Sequence, residues 1–451
     1  MFPNQLVCPA APVRFLQSVL PLLLCAGLGA TLSAQDPTAA QQPAHQDMSM
    51  PAMNMVQMNA ASMFLMDSMS GTALNPAAWP APMLMRPVGT WNTMYMAQAF
   101  LDDTQQSGPR GGDKFYSSNW FMGAAEHRLG TNGAFEVQLM LSLEPATITD
   151  RHYPLLFQTG ETAFGKPIVD GQHPHDFIMA LGFQYALSLN ENTTLQLYVA
   201  PVGDPALGPI AYPHRASAME LPQAPIAHHW EDSTHIANDV VTAALAYRNF
   251  KLEASGFHGA EPDEFRWDID SGPINSWSTR LWYFPGRNWA AQFSIGHLTH
   301  PEMLEPGDQT RTTASIEYSR PTPGGSWSSS FIWGRNHSTY TKRNLNAYTV
   351  ESVLPVRRRN FITGRMELVD KDELFAGQPG LEQFLDTFYG STFRIGAYTI
   401  GYTRDLGLFR YIETGLGANI ETYSLPASIK PYYGQHPIGG NIFFRFRLAG
   451  R

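Results

Sequence analysis

Two short segments of the chain concentrate side chains that bind transition metals. Residues 173–176 read His-Pro-His-Asp, and residues 228–235 read His-His-Trp-Glu-Asp-Ser-Thr-His. Imidazole combined with carboxylate suits Zn²⁺, Cu²⁺, Ni²⁺ or Fe²⁺. The candidate ligands are His173, His175, Asp176, His228, His229, Glu231, Asp232 and His235. Neither segment has the spacing of a named zinc motif, so the alternative is a polar cluster whose imidazoles and carboxylates bond to one another and to the backbone.

A methionine-rich segment near the N-terminus offers softer ligands. Eight methionines fall within the 22 residues 48–69, and Ser, Asn, Gln, Pro and Ala fill most of the gaps. Thioethers suit Cu(I) far better than hard cations, and the candidate ligands are Met48, Met50, Met53, Met55 and Met58. The composition of residues 35–86 predicts a flexible periplasmic tail. The alternative is an adaptable apolar segment that plugs or docks elsewhere, because methionine fills irregular gaps.

The elements that must position these segments are short strands. From residue 87 onward apolar and polar residues alternate, with no sustained helical period. In the run 135–144, for example, Phe135 and Leu139 point to one face, and Glu136 and Met140 point to the other. Sixteen such runs are predicted, at 88–101, 115–128, 134–145, 176–189, 193–201, 239–248, 250–258, 274–284, 288–297, 311–320, 326–335, 344–354, 359–370, 391–404, 408–420 and 438–448.

The connections between these runs alternate between short and long. Seven are tight turns, whereas the others reach 30 residues at 146–175 and 37 residues at 202–238. Short turns at one end, long loops at the other and an even strand number are typical of bacterial outer-membrane barrels. A spanning sheet must close on itself, because a bilayer cannot solvate an open edge. The sequence therefore predicts an all-β fold: residues 87–451 form a closed antiparallel transmembrane β-barrel of about 16 strands, with long loops at one end.

In architecture, residues 87–451 resemble bacterial outer-membrane porin-like proteins. The methionine- and histidine-bearing segment before the barrel is similar in plan to copper-resistance outer-membrane proteins, and that resemblance implies metal handling at the cell envelope. One departure from the barrel pattern lies at the C-terminus, where Leu448-Ala449-Gly450-Arg451 follows Phe446 and no terminal aromatic residue is present.

The inner face of such a barrel should be polar and charged. The predicted lumen-lining residues are Glu136, Arg280, Glu317, Arg365, Glu367, Arg445 and Arg447. Loops 146–175 and 202–238 exceed the roughly 12–15 residues above which an unstructured loop usually has a function. We therefore expect one or both loops to fold into the lumen and narrow it, so that a polar constriction sets selectivity.

The start of the chain and its composition indicate export to the envelope. Arg14, an apolar stretch from Phe15 to Leu32 and small residues before Gln35 predict a cleaved signal peptide over residues 1–34. Both cysteines lie within it, so the mature chain would have no thiol. A net charge of -9 with only 15% charged residues disfavours nucleic-acid binding and an ordinary soluble enzyme.

Together these features predict an exported Gram-negative outer-membrane barrel for the passage or binding of small solutes, with copper or another transition-metal ion as the leading cargo. Its partners would be outer-membrane lipid and the solute or metal ion, with a homo-oligomer left open. A general porin, or a structural or adhesion barrel without metal, is the alternative. No catalytic residue is predicted, because GxSxG, P-loop and dinucleotide motifs are absent. A lipid hydrolase at the barrel rim, using Ser233 and His235, is a less favoured alternative.

Overall fold

Sixteen antiparallel strands close into one barrel in the computed structural model, which describes residues 58–303, 305–377 and 391–449. The strands are β1 (Trp91–Gln106), β2 (Asp113–Leu129), β3 (Gly133–Leu141), β4 (Ile178–Asn190), β5 (Thr193–Gly203), β6 (Ala237–Tyr247), β7 (Phe250–His258), β8 (Ser276–Gly286), β9 (Trp289–Leu298), β10 (Gln309–Thr322), β11 (Gly325–Ser338), β12 (Asn344–Val356), β13 (Asn360–Lys371), β14 (Phe393–Asp405), β15 (Ile412–Ser424) and β16 (Ile438–Leu448). Each strand pairs with the next, and β16 pairs back onto β1. The predicted closed, antiparallel, all-β barrel is confirmed. Among the described residues, no helix is long and apolar enough to cross a membrane.

The alternation of residue types separates an outer from an inner face. In β16, Ile442 and Phe444 are 65% and 45% exposed on the outside, whereas Phe443 and Arg445, which alternate with them, are buried inside. Large apolar side chains are exposed along other strands as well, and many charged side chains are buried. The outer face is apolar and the inner face largely polar, because successive side chains of a strand point to opposite faces.

The connections differ at the two ends of the barrel, as the sequence predicts. Turns such as 130–132, 191–192 and 248–249 join strands at one end, and the first barrel strand begins and the last one ends there. We call this the turn end and the opposite one the loop end. A short strand, Leu84–Val88, pairs with the first residues of β1 beyond the point where β16 stops, and so completes the seam at the turn end.

The connection between β5 and β6, residues 204–236, runs inside the barrel, and we call it the plug loop. All of its residues except the half-buried Tyr212 are buried. Its short helix His228–Glu231 contacts β10, β11 and β12, and a 3₁₀ turn, Ser233–His235, follows. Further along the wall, Ala206 donates its backbone N–H to Ser255 of β7 at 2.7 Å. The plug loop therefore occupies the lumen that the strands enclose.

Residues 58–86, the N-terminal segment, also pack inside the barrel. The helix Ala60–Met66 rests on inward-facing alanines of β3 and β4, and the short strands Ser68–Ser70 and Ala73–Leu74 pair with each other. The sequence predicts a flexible tail here, whereas in the structure the apolar side chains of this part pack on a buried surface of small residues on the wall. The rest of the predicted tail, with Met48, Met50, Met53 and Met55, and the predicted signal peptide lie outside the described residues.

The loop between β3 and β4 has regular structure of its own at the loop end. It contains the helix Glu144–Thr147, the 3₁₀ turn Thr149–Arg151 and a hairpin of Tyr153–Ala163 with Lys166–Gln172. The last loop carries the 3₁₀ turn Ala427–Ile429 and the helix Lys430–Tyr433. The two loops meet where the ring of Phe157 stacks on that of Tyr433, with centroids 4.3 Å apart.

Candidate functional site

Five histidines from two distant segments meet inside the barrel. His173 and His175 precede β4, whereas the other three belong to the plug loop. Their rings follow one another in a chain, with centroids 5.7 Å apart for His173 and His229, 5.3 Å for His229 and His228, 5.1 Å for His228 and His235, and 5.4 Å for His235 and His175. None of the five is more than 8% exposed. The fold thus brings together the two segments that the sequence singles out.

Four of these rings have their Nδ1 atom held by an acceptor. Nδ1 of His173 lies 3.1 Å from the backbone oxygen of Pro174. Nδ1 of His175 lies 2.9 Å from Oε2 of Glu144. Nδ1 of His228 lies 2.7 Å from Oδ1 of Asp232, and Nδ1 of His235 lies 2.9 Å from the backbone oxygen of the same residue. A ring that donates from Nδ1 presents the lone pair of Nε2. An acceptor behind the imidazole is the usual outer support of a metal ligand.

Some nitrogens in the chain of rings have no hydrogen-bond partner among the described residues. These are Nε2 of His235 and Nε2 of His229. Buried polar atoms are nearly always paired, and an unpaired one costs about 1–3 kcal/mol. Unpaired nitrogens within a cluster of imidazoles therefore favour a bound ligand at this place.

The chain of rings leads to two carboxylates. One ligand atom from each of His229, Glu261 and Glu302 lies within 4.8 Å of the others, and Nδ1 of His229 is 3.4 Å and 3.8 Å from the two carboxylates. One imidazole with two carboxylates is a suitable donor set for a borderline divalent cation. Burial and the neighbouring carboxylate of Glu261 hold the pKa of Glu302 well above its usual range, and a cation would offset that repulsion.

Burial also sets the protonation state of the rings. It lowers the pKa of His228 to about 4 and holds the pKa values of His173, His229 and His235 below their usual range. These imidazoles are therefore neutral at pH 7, which is the form that binds metals.

Two of the three carboxylates predicted as ligands have other partners, whereas both oxygens of Glu231 have no hydrogen-bond partner among the described residues. Asp232 accepts from His228 on one oxygen and from Arg215 on the other, each at 2.7 Å. Asp176 lies 3.4 Å from an arginine side chain, and Glu231 is buried outside the trio of ligand atoms. Asp232 therefore positions His228 and does not complete a ligand set, because its oxygens are already engaged.

Three acidic residues of the centre are absent from the predicted ligand set: Glu144, Glu261 and Glu302. Glu261 follows His258 by three residues and is near two further acidic residues, so the sequence carries a signal for it. Glu144 has no neighbouring ligand in the sequence, and Glu302 has only His300 and Glu305 close to it. The fold alone places both carboxylates beside the five histidines.

The seven residues predicted to line the lumen are all buried inside the barrel: Glu136, Arg280, Glu317, Arg365, Glu367, Arg445 and Arg447. Several of them contact the plug loop. Arg280 donates to the backbone oxygen of Gly208 at 3.0 Å, and both Arg445 and Arg447 bind the carboxylate of Glu220. These side chains thus bind the plug loop. The plug loop fills the space beside them that water would fill in an open lumen.

The plug loop does not provide a Ser–His pair for hydrolysis. Oγ of Ser233 donates to Glu261 and accepts from Arg311, each at 2.7 Å. Nδ1 of His235 faces a backbone oxygen instead. The alternative of a lipid hydrolase at the rim therefore finds no geometric support in these two residues.

Met58 is the described member of the predicted thioether set. Its side chain is half-buried and packs with Met66 and Met94 inside the barrel. The soft-metal prediction for the other four methionines concerns residues outside the described ranges.

Comparisons with known proteins give backbone similarities only. No family model and no curated protein matches the chain. An anion-selective porin from Comamonas acidovorans aligns with a TM-score of 0.49 at 10% identity, covering 79% of this chain and 100% of that one. OmpF of Salmonella typhi in complex with daunomycin aligns with a TM-score of 0.48 at 8% identity, covering 80% and 100%. At such values these similarities assign no function, and the similarity to copper-resistance proteins finds no support among them.

Proposed function

We propose that this protein is an outer-membrane, porin-like barrel that binds a divalent transition-metal ion inside its lumen, and that this ion is the solute it handles. One observation carries the proposal: five buried imidazoles from two segments form a continuous chain, and one of its rings, His229, lies beside Glu261 and Glu302. A purely structural cluster would pair its nitrogens, whereas here nitrogens of His229 and His235 are left unpaired.

The outer surface supports a location in the outer membrane. Near the turn end, Phe250 stacks on Tyr283 with ring centroids 4.9 Å apart, and Trp289 lies 4.6 Å from Tyr318. The first three of these rings are exposed. Aromatic girdles around an apolar outer band are typical of barrels in a bilayer, and an apolar surface of this extent would cause association in water.

Replacing Ile442 with arginine should destabilise the barrel in lipid vesicles by about 2–4 kcal/mol, because the side chain projects from the middle of β16 toward the hydrocarbon. Ile438 begins the same strand on the same face. Its replacement by arginine is the matched control and should cost roughly 0–1 kcal/mol. Urea titration of vesicle-folded protein gives both values. Equal costs for the two substitutions would contradict this placement in the bilayer.

Isothermal titration of the full-length barrel in detergent with Zn²⁺ tests the metal centre. We expect wild-type protein to bind with a Kd at or below ~1 μM, about −8 kcal/mol. The double variant His228→Ala, His229→Ala should lose at least about 100-fold in affinity, because two adjoining ligands are removed where one outer-shell partner alone is worth roughly 10–100-fold.

The control for this titration lies in another loop-end cluster. His297 and His300 lie 3.5 Å and 3.3 Å from the carboxylate of Asp308. The variant His297→Ala, His300→Ala should bind Zn²⁺ as the wild type does. A wild type that fails to bind, or an equal loss in both double variants, would refute the metal centre.

A general solute channel without metal is the second candidate. The polar inner wall favours it, with charged residues such as Glu253 and Arg280 buried inside. Passage would then require the plug loop to move, because its backbone and side chains are bound to that wall. Absence of Zn²⁺ binding together with conductance of the intact chain would favour this candidate.

A further inference from the structure

Three methionines form a row across the inner faces of β1, β2 and β3. Met96 pairs in register with Met122, and Met122 pairs with Met140. All three side chains are buried inside. Inward positions of outer-membrane barrels are usually polar, so a row of thioethers departs from the pattern of the wall.

Further thioethers join this row from three other elements. Met179 lies at a bulge where β4 pairs with β3 beside Met140, and bulges re-aim side chains. Met69 comes from the N-terminal segment and Met219 from the plug loop. All of them are buried in the same cluster, so distant parts of the chain bring sulfur ligands to one place.

A histidine of the plug loop completes the cluster. Nε2 of His214 lies 3.3 Å from Sδ of Met140, and Nδ1 has no hydrogen-bond partner among the described residues although the side chain is only 2% exposed. One small cavity is lined by Met69, Met140, Met179, His214 and His235. Nδ1 of His214 and Nε2 of His235 are both buried and unpaired among the described residues, and both residues line the cavity together with three thioethers.

We propose that this cavity binds a soft monovalent cation of the Cu(I) class. Thioethers and neutral imidazoles are the ligands that such an ion prefers. Asp204, which accepts from Ser70 at 2.7 Å, also lines the cavity. Packing alone explains methionine as a gap-filler, but it gives no reason for an unpaired imidazole nitrogen in an apolar cluster.

This cavity shares His235 with the divalent centre, whereas His214 and the three methionines belong to the cavity alone. His235 links the two, because it lines the cavity and its ring centroid lies 5.1 Å from that of His228. Thioether and imidazole ligands are therefore contiguous inside the barrel, with soft donors on one side of His235 and borderline donors on the other.

Ag(I) is the probe for this site, because it shares the charge and softness of Cu(I) and needs no reductant. In full-length protein labelled with ¹³C at the methionine methyl groups, the resonances of Met69, Met140 and Met179 should shift on addition of Ag(I). The variant Met140→Leu, Met179→Leu nearly conserves side-chain volume. It should lose one equivalent of bound Ag(I), measured by equilibrium dialysis.

Matched variants separate this proposal from the divalent centre. Met366→Leu, on the outer face at 50% exposure, should bind Ag(I) as the wild type does. The leucine double variant should keep its Zn²⁺ binding, and the His228→Ala, His229→Ala variant should keep its Ag(I) binding. Unchanged Ag(I) stoichiometry in the leucine double variant, or shifts confined to methionines outside the cavity, would overturn the proposal.

Discussion

Removing the two inner segments is expected to convert the barrel into an open channel. Gly203 and Ala237 are register partners at the ends of β5 and β6, so an Asn-Gly turn can replace residues 204–236 without breaking the sheet. Barrels of this strand number enclose an aqueous pore when the lumen is empty. A variant that also lacks residues 58–83 should therefore conduct ions in planar bilayers at least about tenfold better than the full chain.

Both segments must be removed because each is bound to the other. Asn75 of the N-terminal segment donates to the backbone oxygen of His214 at 3.0 Å, and Ser70 donates to Asp204 at 2.7 Å. Loss of the plug loop alone should leave part of the lumen filled by the N-terminal segment, and the increase in conductance should then be smaller. The two single deletions are thus graded controls for the double one.

Heat-dependent electrophoretic mobility and a β-type circular dichroism spectrum establish that each deletion variant is a folded barrel. Equal conductance of the full chain and the folded double deletion would contradict the assignment of these segments as a plug. A large conductance of the full chain would instead favour the general-channel candidate over the metal-binding one.

The strands could be predicted because each of them carries its own evidence. Glu136, Gln138 and Met140 are buried inside while Leu139 between them is exposed, and this alternation is visible within a few residues of sequence. A shift of one residue in the pairing register of a strand would put all of its apolar side chains on the wrong face of the sheet. Local pattern therefore suffices for the strands, for their faces and for the alternation of short and long connections.

The filling of the lumen depends on contacts between residues that are distant in sequence. Ala61 and Leu65 pack against Ala134 and Ala186, and nothing in the composition of the N-terminal segment identifies those alanines as its partners. The packing of this segment could therefore not be predicted from its composition. The length of residues 202–238 indicated an inward loop, but not which charges of the wall would hold it.

The residues of the candidate site also fall into two groups, those that local sequence reveals and those that only the fold brings together. His228, His229 and His235 are neighbours in sequence, so spacing alone revealed them. Glu302 and His214 lie outside this run of histidines in the sequence. Their role as candidate ligands follows only from where the barrel wall and the plug loop place them. Ligand sets assembled from several loops are therefore incomplete when they are inferred from sequence.

Substitution of Arg215 by alanine is expected to destabilise the packed plug loop by about 3–5 kcal/mol, because it leaves the buried carboxylate of Asp232 without its cation and Glu351 with Arg365 alone. Arg215 is fully buried. Its Nε lies 2.6 Å from Glu351 of the wall, and its Nη1 lies 2.7 Å from Asp232 of the plug loop. The urea dependence of plug-loop cleavage by protease, in an otherwise folded barrel, measures the change.

The matched control removes an arginine from the outer face of β11. Arg335 is exposed and donates to Asn346 at 2.9 Å. Arg335→Ala should change the free energy of plug release by less than about 0.5 kcal/mol, because no buried charge is left unpaired. An Arg215→Ala protein as resistant to protease as this control would show that the buried ion pairs do not hold the plug.

The Arg215→Ala substitution should also weaken Zn²⁺ binding at the divalent centre. Asp232 holds Nδ1 of His228 with one oxygen, while Arg215 and the backbone N–H of Tyr212 donate to the other. The carboxylate is therefore held less firmly once the arginine is gone. Loss of such an outer support should lower Zn²⁺ affinity by roughly 10–100-fold, whereas the Arg335→Ala control should bind normally. Release of the plug loop with undiminished Zn²⁺ affinity would contradict a centre assembled on the plug loop, because three of its five imidazoles would then have left the wall.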